Sequence, residues 1–281
     1  MEKNYFSRVM GLKSLQGFGN KKVLDILKVS NIEKIDSLLK GKVDLKEFDS
    51  IYEQYKKNGI KTISYFDKEY PIKLKKIDVP PVVLFAKGNI KFLNAPSISI
   101  VGTRHPTEET YNWTVNFAKK MSDNGYVIIS GGAIGVDKAA HKGALIYGRA
   151  TVCVLGSGIN NPYPKENIDM INLISENGLV ISEYLPDQNV REFSLVERNR
   201  ITSGLGDAII IVATGINGGS IWQFKNAHSQ KKLVFCPNPK LNLNPNDGLI
   251  QLIKEGKVVP INEPSDVLTT LHKNKDLKIY V

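Results

Sequence analysis

Four glycine-rich runs each follow a short apolar stretch: Val101-Gly102-Thr103-Arg104; Ser130-Gly131-Gly132-Ala133-Ile134-Gly135-Val136-Asp137; Leu155-Gly156-Ser157-Gly158; and Gly215-Ile216-Asn217-Gly218-Gly219-Ser220. Glycine lets backbone amides approach a ligand, and at a helix N-terminus the dipole and unpaired N–H groups favour an anion. One such turn is commonplace and usually structural, but four on one sheet edge predict a phosphate-binding surface. The segment Val196-Glu197-Arg198-Asn199-Arg200-Ile201 adds two arginines around an asparagine. Arginine suits bidentate phosphate contact and asparagine both donates and accepts. The competing use of these arginines is a salt bridge with Glu197 or Glu183. Three of the six arginines (Arg104, Arg198, Arg200) sit in glycine loops or just before a strand, which favours the ligand-binding reading.

Other chemistries find less support. No G-x-x-x-x-G-K-[ST] occurs, which argues against a Walker-type ATPase. Gly156-Ser157-Gly158-Ile159-Asn160-Asn161 starts like a dinucleotide fingerprint, but Asn161 replaces the last glycine. The two cysteines, Cys153 and Cys236, lie in apolar runs with no zinc spacing, so no metal, disulfide framework or cofactor is expected. Asp137 is read as the cap of the helix that follows it. His141 has no partner at ligand spacing and is read as a hydrogen-bonding residue. If one helix runs on from Asp137, then Lys138, Lys142 and Arg149 fall within about 40° of one another and form a basic stripe, solvated or part of a phosphate track.

These residues need a scaffold. Continuous apolar runs at Ile98–Val101, Val127–Ser130, Thr151–Leu155, Leu179–Ser182, Ala208–Val212 and Lys232–Cys236 read as strands buried on both faces. Helical stretches lie between them, among them Glu108–Asp123 and Asp137–Tyr147. The alternation predicts a doubly wound α/β sheet, whose ligands sit at the carboxyl ends of the strands, where the glycine runs fall. Upstream, residues 60–96 carry Pro71, Pro80 and Pro81, which forbid a continuous helix, and a β-type run at Val82–Ala86, so they read as the lead-in to this sheet. Residues 1–58 read as short helices, with apolar residues at Val23, Leu24, Ile26, Leu27, Ile32, Ile35, Leu38 and Leu39. Leu15-Gln16-Gly17-Phe18-Gly19-Asn20-Lys21-Lys22 resembles the hairpin of a helix-hairpin-helix unit, in which backbone N–H groups meet a DNA phosphate. An ordinary helix–helix turn with a glycine cap gives the same pattern.

The 281 residues allow one large or two small domains, with 42% apolar residues to build a core. The longest apolar run, about nine residues from Ala208 to Ile216, is far short of the roughly 20 that span a bilayer. The first ten residues hold no apolar stretch of the secretory kind, so the expected location is the cytoplasm. Net charge is +10, from 38 basic and 28 acidic side chains. Residues 1–100 carry 19 basic against 11 acidic, a net +8, and the remainder only +2. A polyanionic partner fits this balance, and so does a lysine-biased genome.

Together these strings are similar to the bacterial DNA-processing protein A family (DprA, or Smf). The shared features are Val101-Gly-Thr-Arg104, Ser130-Gly-Gly-Ala-x-Gly-x-Asp137, Ala140-His141-x-Gly143-Ala-Leu145, Val154-Leu-Gly-x-Gly158, Tyr163-Pro164-x-Glu166-Asn167, Ser182-Glu183-Tyr184 and Arg198-Asn-Arg-Ile201. Tyr70-Pro71 and Pro80-Pro81-x-Val-Leu-Phe85-x-x-Gly88-Asn89 extend the match upstream. The resemblance implies a helical, helix-hairpin-helix or SAM-like domain over 1–58, a Rossmann-like domain over 60–271 and a tail over 272–281 without the winged helix many members carry. It also implies a homodimer that binds single-stranded DNA, protects it and loads the RecA recombinase on it, chiefly in natural transformation, without catalysing a reaction. Carried over by position, the DNA site takes in Gly102, Thr103, Arg104, Ser130, Gly131, Gly132, Gly135, Lys138, Gly156, Gly158, Arg198, Asn199, Arg200, Gly219 and Ser220, with Trp222 or Tyr163 offering a ring for base stacking.

The departures are specific. Ile134 stands where the family usually has a basic residue. Gly219-Ser220-Ile221-Trp222-Gln223-Phe224 replaces the usual Gly-Ser-Leu-Ile-Thr-Ala, and Pro245-Asn-Asp-Gly248 replaces Gly-x-Asn. The rival reading is a nucleotide-binding sensor or a nucleotide phosphoribohydrolase on a related fold. The hydrolase pattern resembles Pro-Gly-Gly-x-Gly-Thr-x-x-Glu, and its catalytic glutamate falls on Gln223 here. An amide cannot act as general acid or base, so binding without chemistry is the expectation.

Overall fold

The computed structural model describes residues 1–279, with side chains through Lys273. Four helices come first: α1 (Lys3–Ser14), α2 (Asn20–Val29), α3 (Ile32–Leu39) and α4 (Leu45–Lys57). Nine strands follow: β1 (Lys61–Ser64), β2 (Val83–Gly88), β3 (Ser97–Val101), β4 (Val127–Ser130), β5 (Thr151–Leu155), β6 (Leu179–Ser182), β7 (Ala208–Ile211), β8 (Leu233–Pro237) and β9 (Val259–Ile261). The helices between and after them are α5 (Glu108–Asp123), α6 (Val136–Leu145), α7 (Ile168–Asn177), α8 (Glu192–Leu205), α9 (Ser220–Ser229), α10 (Asp247–Lys254) and α11 (Pro264–Ile279).

The strands form one sheet in the order β1-β2-β6-β5-β4-β3-β7-β8-β9. From β6 to β9 every pairing is parallel, and β2 joins β6 antiparallel with β1 outside it. This is the Rossmann-like, doubly wound arrangement the alternation predicts. All six predicted strands are present with their ends moved by no more than one residue. The lead-in is part of the sheet, since β2 covers the edge of β6. The sequence gives no run for β1 or for β9, whose three residues include Pro260.

Alternating residues of each strand feed opposite layers, the period-two pattern of a sheet buried on both faces. Ile98, Ile100, Ile128 and Ile210 point to α5, α6 and α11. Ile129, Val152, Val154 and Ile181 point to Ile201 and Leu205 of α8, and Ile209 and Ile211 join Val101 against α9 and α10. Beyond α7 the first face continues into the N-terminal helices. Phe85 of β2 meets Phe6 edge-on at 6.2 Å and Tyr55 at 5.9 Å, joining α1 and α4 to the sheet in a shared apolar cluster.

Two expectations change. Helix α6 stops at Leu145, and a short 3-10 turn with Tyr147 at φ 63° follows, so Arg149 lies off the helix and pairs with Asp123 at 3.8 Å. The stripe of Lys138, Lys142 and Arg149 therefore does not form. At the other end, α11 holds Val267 and Leu271 against the core, meets no Gly or Pro after Pro264 at its start, and runs through the segment read as a tail from 272. Tyr280 and Val281 lie outside the described residues.

Phe85 is fully buried between the two parts of the chain. Phe85→Ala is expected to lower unfolding free energy by about 3–5 kcal/mol. Urea denaturation followed by far-UV circular dichroism checks this, and a loss below 1 kcal/mol would contradict it.

Candidate functional site

Chain order reverses at β3, which has β4 on one side and β7 on the other. In a doubly wound sheet this is where a crevice opens at the carboxyl ends of the strands. Here the junctions after β3, β4 and β7 and the facing side of α8 line a cleft of about 430 Å³. A smaller hollow of about 270 Å³ adjoins it, between the β4 junction and Tyr163-Pro164-Lys165. Arg104 and Arg198 line both.

The backbone of this crevice is tightly clamped. The Thr103 amide donates to the Ala213 carbonyl at 2.9 Å, and the Val136 amide donates to the Thr103 carbonyl at 3.1 Å. A Cβ on Gly102 would lie 2.7 Å from the Val136 side chain. Gly135 adopts φ +78°, and a Cβ there would lie about 2.5 Å from the carbonyl oxygen of Thr103. The β3 junction is thus pressed onto the start of α6, and Arg104 at its tip is exposed to solvent.

Arg198 is 5% exposed and crosses beneath the cleft. Its Nη1 donates to the carbonyls of Gly131 and Val154, and a Cβ on Gly131 would fall on the guanidinium. On the other side of the turn, Asp137 Oδ2 accepts from the amides of Gly131 at 3.1 Å and Ala133 at 3.4 Å. Asp137 therefore braces the turn before its helix and does not cap it; the N-cap position is held by Gly135. Ser130 is buried and donates to the Ile100 carbonyl at 2.7 Å, tying β4 to β3.

Across the cleft, Asn199 accepts from Gln223 Nε2 at 3.0 Å, which fixes α8 to α9. Gly219 is open on its Cβ side, and Ser220 begins α9, whose Ile221 and Trp222 amides turn back to the Gly218 and Gly219 carbonyls at 3.0 and 3.2 Å. Trp222 is 51% exposed, with the Lys225 ammonium 4.2 Å over its ring, so it is not a core residue. Tyr163 is exposed beside the smaller hollow.

Of the fifteen residues expected at the site, Gly102, Thr103, Arg104, Gly131, Arg198, Asn199, Gly219 and Ser220 line the two hollows. Ser130, Gly132 and Gly135 support them from below, with a Cβ on Gly132 set to lie 2.7 Å from Cys153 Sγ. Lys138 sits half-buried in the first turn of α6, outside both linings. Gly156 and Gly158 are packing glycines, the first against Leu195 and the second against the Leu185 and Pro186 carbonyls. Arg200 lies on the opposite side of α8, bidentate to Glu183 at 2.6 Å to each oxygen, so the salt-bridge alternative is the one it adopts. Sequence reasoning did not select His105, Thr214, Val196 or Lys165, which also line the cleft or the hollow beside it. His105 and Lys165 directly follow Arg104 and Pro164, and that adjacency was the available signal.

The profile of the DNA recombination-mediator protein A family matches residues 61–272. The chain belongs to that family. It is 34% identical over 203 residues to DNA processing protein DprA of Bacillus subtilis, covering 72% of this chain and 68% of that one. It is also 34% identical to DNA processing protein DprA of Streptococcus pneumoniae, covering 74% and 73%. Among solved structures, DNA processing protein A of Streptococcus pneumoniae superposes with a TM-score of 0.79 at 28% identity, over 96% of this chain and 98% of that one. A structure of the Helicobacter pylori protein, described by its single-stranded DNA binding mode, superposes with a TM-score of 0.68 at 31% identity, over 76% and 96%.

In this member of the DNA recombination-mediator protein A family, the buried acids nearest the cleft, Asp137 and Glu183, are engaged, while Glu166 is exposed in the lining of the smaller hollow. Burial pushes the Asp137 carboxyl up, against the pull of Arg198 and the two amides it accepts from. Burial also opposes ionisation of Glu183, but the Arg200 guanidinium, with Lys13 and Asn20, outweighs it and holds that carboxyl below its ordinary value. Gln223 occupies the place of the hydrolase glutamate and is spent on Asn199. Among the described residues no cluster of His, Cys, Asp and Glu is placed to hold a metal ion, and no helix is long and apolar enough to cross a membrane.

His141 is buried and shares a 2.8 Å hydrogen bond with the Thr151 hydroxyl, as its sequence context suggests. Burial, with Arg198 nearby, pushes its pKa down to about 3. The unfolded chain then binds one more proton than the folded one between about pH 6.5 and pH 3, so this residue's contribution to stability falls as pH falls through that window. The slope approaches about 1.4 kcal/mol per pH unit for one proton. His141→Gln is expected to remove that slope from urea-derived stabilities between pH 6 and 4, and an unaltered slope would contradict it.

Proposed function

We propose that this chain binds single-stranded DNA along the cleft at the reversal point of the sheet and, as a homodimer in the cytoplasm, hands it to the RecA recombinase in DNA uptake and recombination. The observation that carries this reading is Arg104: an exposed guanidinium held by a clamped loop between the start of α6 and the open start of α9. The geometry suits the phosphates of a polymer, with Arg104 giving a charge-assisted contact, the positive dipole end of α9 facing a second phosphate, and Trp222 and Tyr163 supplying rings on which any base can stack. A binding role without catalysis is supported by the engagement of Asp137, Glu183 and Gln223 in packing the site. The family membership supports it too, and a Helicobacter pylori relative at 31% identity is described by how it binds single-stranded DNA. Ile134 lines the smaller hollow and adds no charge there.

Fluorescence anisotropy of a labelled oligo-dT, titrated at several salt concentrations, tests this. Arg104→Ala is expected to weaken single-strand binding about tenfold or more and to reduce the slope of log affinity against log salt by about 0.7, the value of one phosphate contact on a single strand. Arg200→Ala is expected to lower stability without changing that slope for an oligo-dT of about 6 nucleotides, which fills the cleft alone. Wild-type protein that ignores the single strand at low salt, or hydrolyses a nucleotide, would overturn the proposal. The RecA step is checked by adding labelled RecA to the same complexes. Faster filament nucleation on protein-coated strand than on strand coated by Arg104→Ala is the expected result, and equal rates count against it.

A further inference from the structure

A concavity larger than the cleft lies across α8. A groove of about 1500 Å³ opens on the other side of α8, between that helix and the α1–α2 hairpin. This exceeds the roughly 300–1,000 Å³ of a closed small-molecule site, and the groove is an open channel. One wall is the hairpin Leu15–Lys22 and the other is the start of α8 with Arg191 and Phe193.

Its surface combines rings with cations. The Lys22 ammonium lies 3.9 Å over the Phe18 ring, and the Arg191 guanidinium lies 6.0 Å from that of Phe193, which is 54% exposed. Six basic side chains line the groove against three acidic ones, and two of the three acids are engaged: Glu183 by Arg200 and Asn20, Glu197 by the Tyr184 hydroxyl at 2.9 Å. Helix α2 starts here with Gly19 at its N-cap, which contributes no side-chain cap. The groove therefore carries net positive charge, an apolar floor and two rings, Phe193 exposed and Phe18 half-buried beneath the Lys22 ammonium.

The two concavities share α8. Leu195 and Val196 line the cleft while Phe193 and Glu197 line the groove, and the helix between them is about 10 Å across. Val196 and Phe193 are both about half exposed and bridge that distance with apolar surface.

We infer that the groove between the α1–α2 hairpin and α8 is a second binding segment for the same single strand, which leaves the cleft past Val196 and Phe193 and stacks on Phe18 and Phe193 with its phosphates on Lys21 and Lys22. The repeat of one ring and one cation matches the repeat of one base and one phosphate. The inference rests on the proposed single-strand binding, and it assigns the hairpin a part in it.

Oligomers of two lengths separate the segments: an oligo-dT of about 6 nucleotides fills the cleft alone, and one of about 20 reaches the groove. The double variant Lys21→Glu, Lys22→Glu puts acids in the first turn of α2, where they complement the helix dipole, so it is not expected to unfold the hairpin. It is expected to leave binding of the short strand unchanged, to weaken the long one at least about fivefold, and to lower the salt slope for the long strand by about 1.4. Phe193→Ala is expected to weaken the long strand alone. Lys40→Glu with Lys42→Glu, on exposed lysines outside the groove, controls for general charge and is expected to change neither. Photocrosslinking of an iodouracil-substituted long strand is expected to label Phe18 or Phe193.

Unchanged long-strand affinity in both groove variants would overturn the inference, as would a control pair as damaging as Lys21→Glu, Lys22→Glu. The same result combined with capture of an acidic peptide in the groove assigns it to a protein partner instead, which also overturns it. Failure of the wild type to bind either length would instead sink the single-strand reading as a whole, so the two failures are distinguishable.

Discussion

The geometry of the site depends on one buried cation. Arg198 reaches under the β4 junction, gives Nη1 to the carbonyls of Gly131 and Val154, and faces Asp137, which holds the amides of the same turn. Two opposite charges out of water are costly unless their remaining hydrogen-bonding capacity is filled. Here the Gly131–Ala133 turn supplies one carbonyl to Arg198 and two amides to Asp137, while the buried Arg198 Nε has no partner among the described residues. That stretch is thereby fixed from both sides, carbonyl below and amides above. The start of α6 follows from it, then the β3 junction pressed on that helix, then the position of Arg104. The exposed arginine can be mobile at its tip because the buried one is not.

The scaffold was legible in the sequence because a parallel sheet covered on both faces writes itself as continuous apolar runs. Seven of nine strands could be placed that way, β2 among them through the run Val82–Ala86. The two edge strands were not, since β1 and β9 are short and half-covered and carry no run. Arg149 was misplaced because a 100° projection assumes one unbroken helix, whereas the chain leaves α6 at Leu145 and turns through Tyr147.

At the site the residues were legible but their roles were only partly so. Glycine spacing marks where the backbone must approach something, without saying what. At Gly131 the neighbour is the Arg198 guanidinium, at Gly102 it is Val136, and at Gly156 and Gly158 it is Leu195 and the Leu185–Pro186 backbone. Only Gly219, of the glycines expected to meet a ligand, faces open space. The two arginines of Arg198-Asn199-Arg200 are two residues apart, hence about 200° apart on a helix, so they cannot serve one face. One became a strut and the other a link to Glu183 and, through Asn20, to the N-terminal hairpin.

The ends of the sheet bear on how such molecules behave in a crowd. On the proposed reading, many copies would collect along one single strand at very high local concentration, the condition under which open strand edges zip together into ribbons. Here β1 offers four residues led by a lysine, and β9 offers three with Pro260 in the middle, whose nitrogen has no hydrogen to give. Neither end is a usable template for strand addition. Neighbouring copies are left to meet through helical faces and side chains, contacts that can form and release without the backbone being drawn into an irreversible fibre.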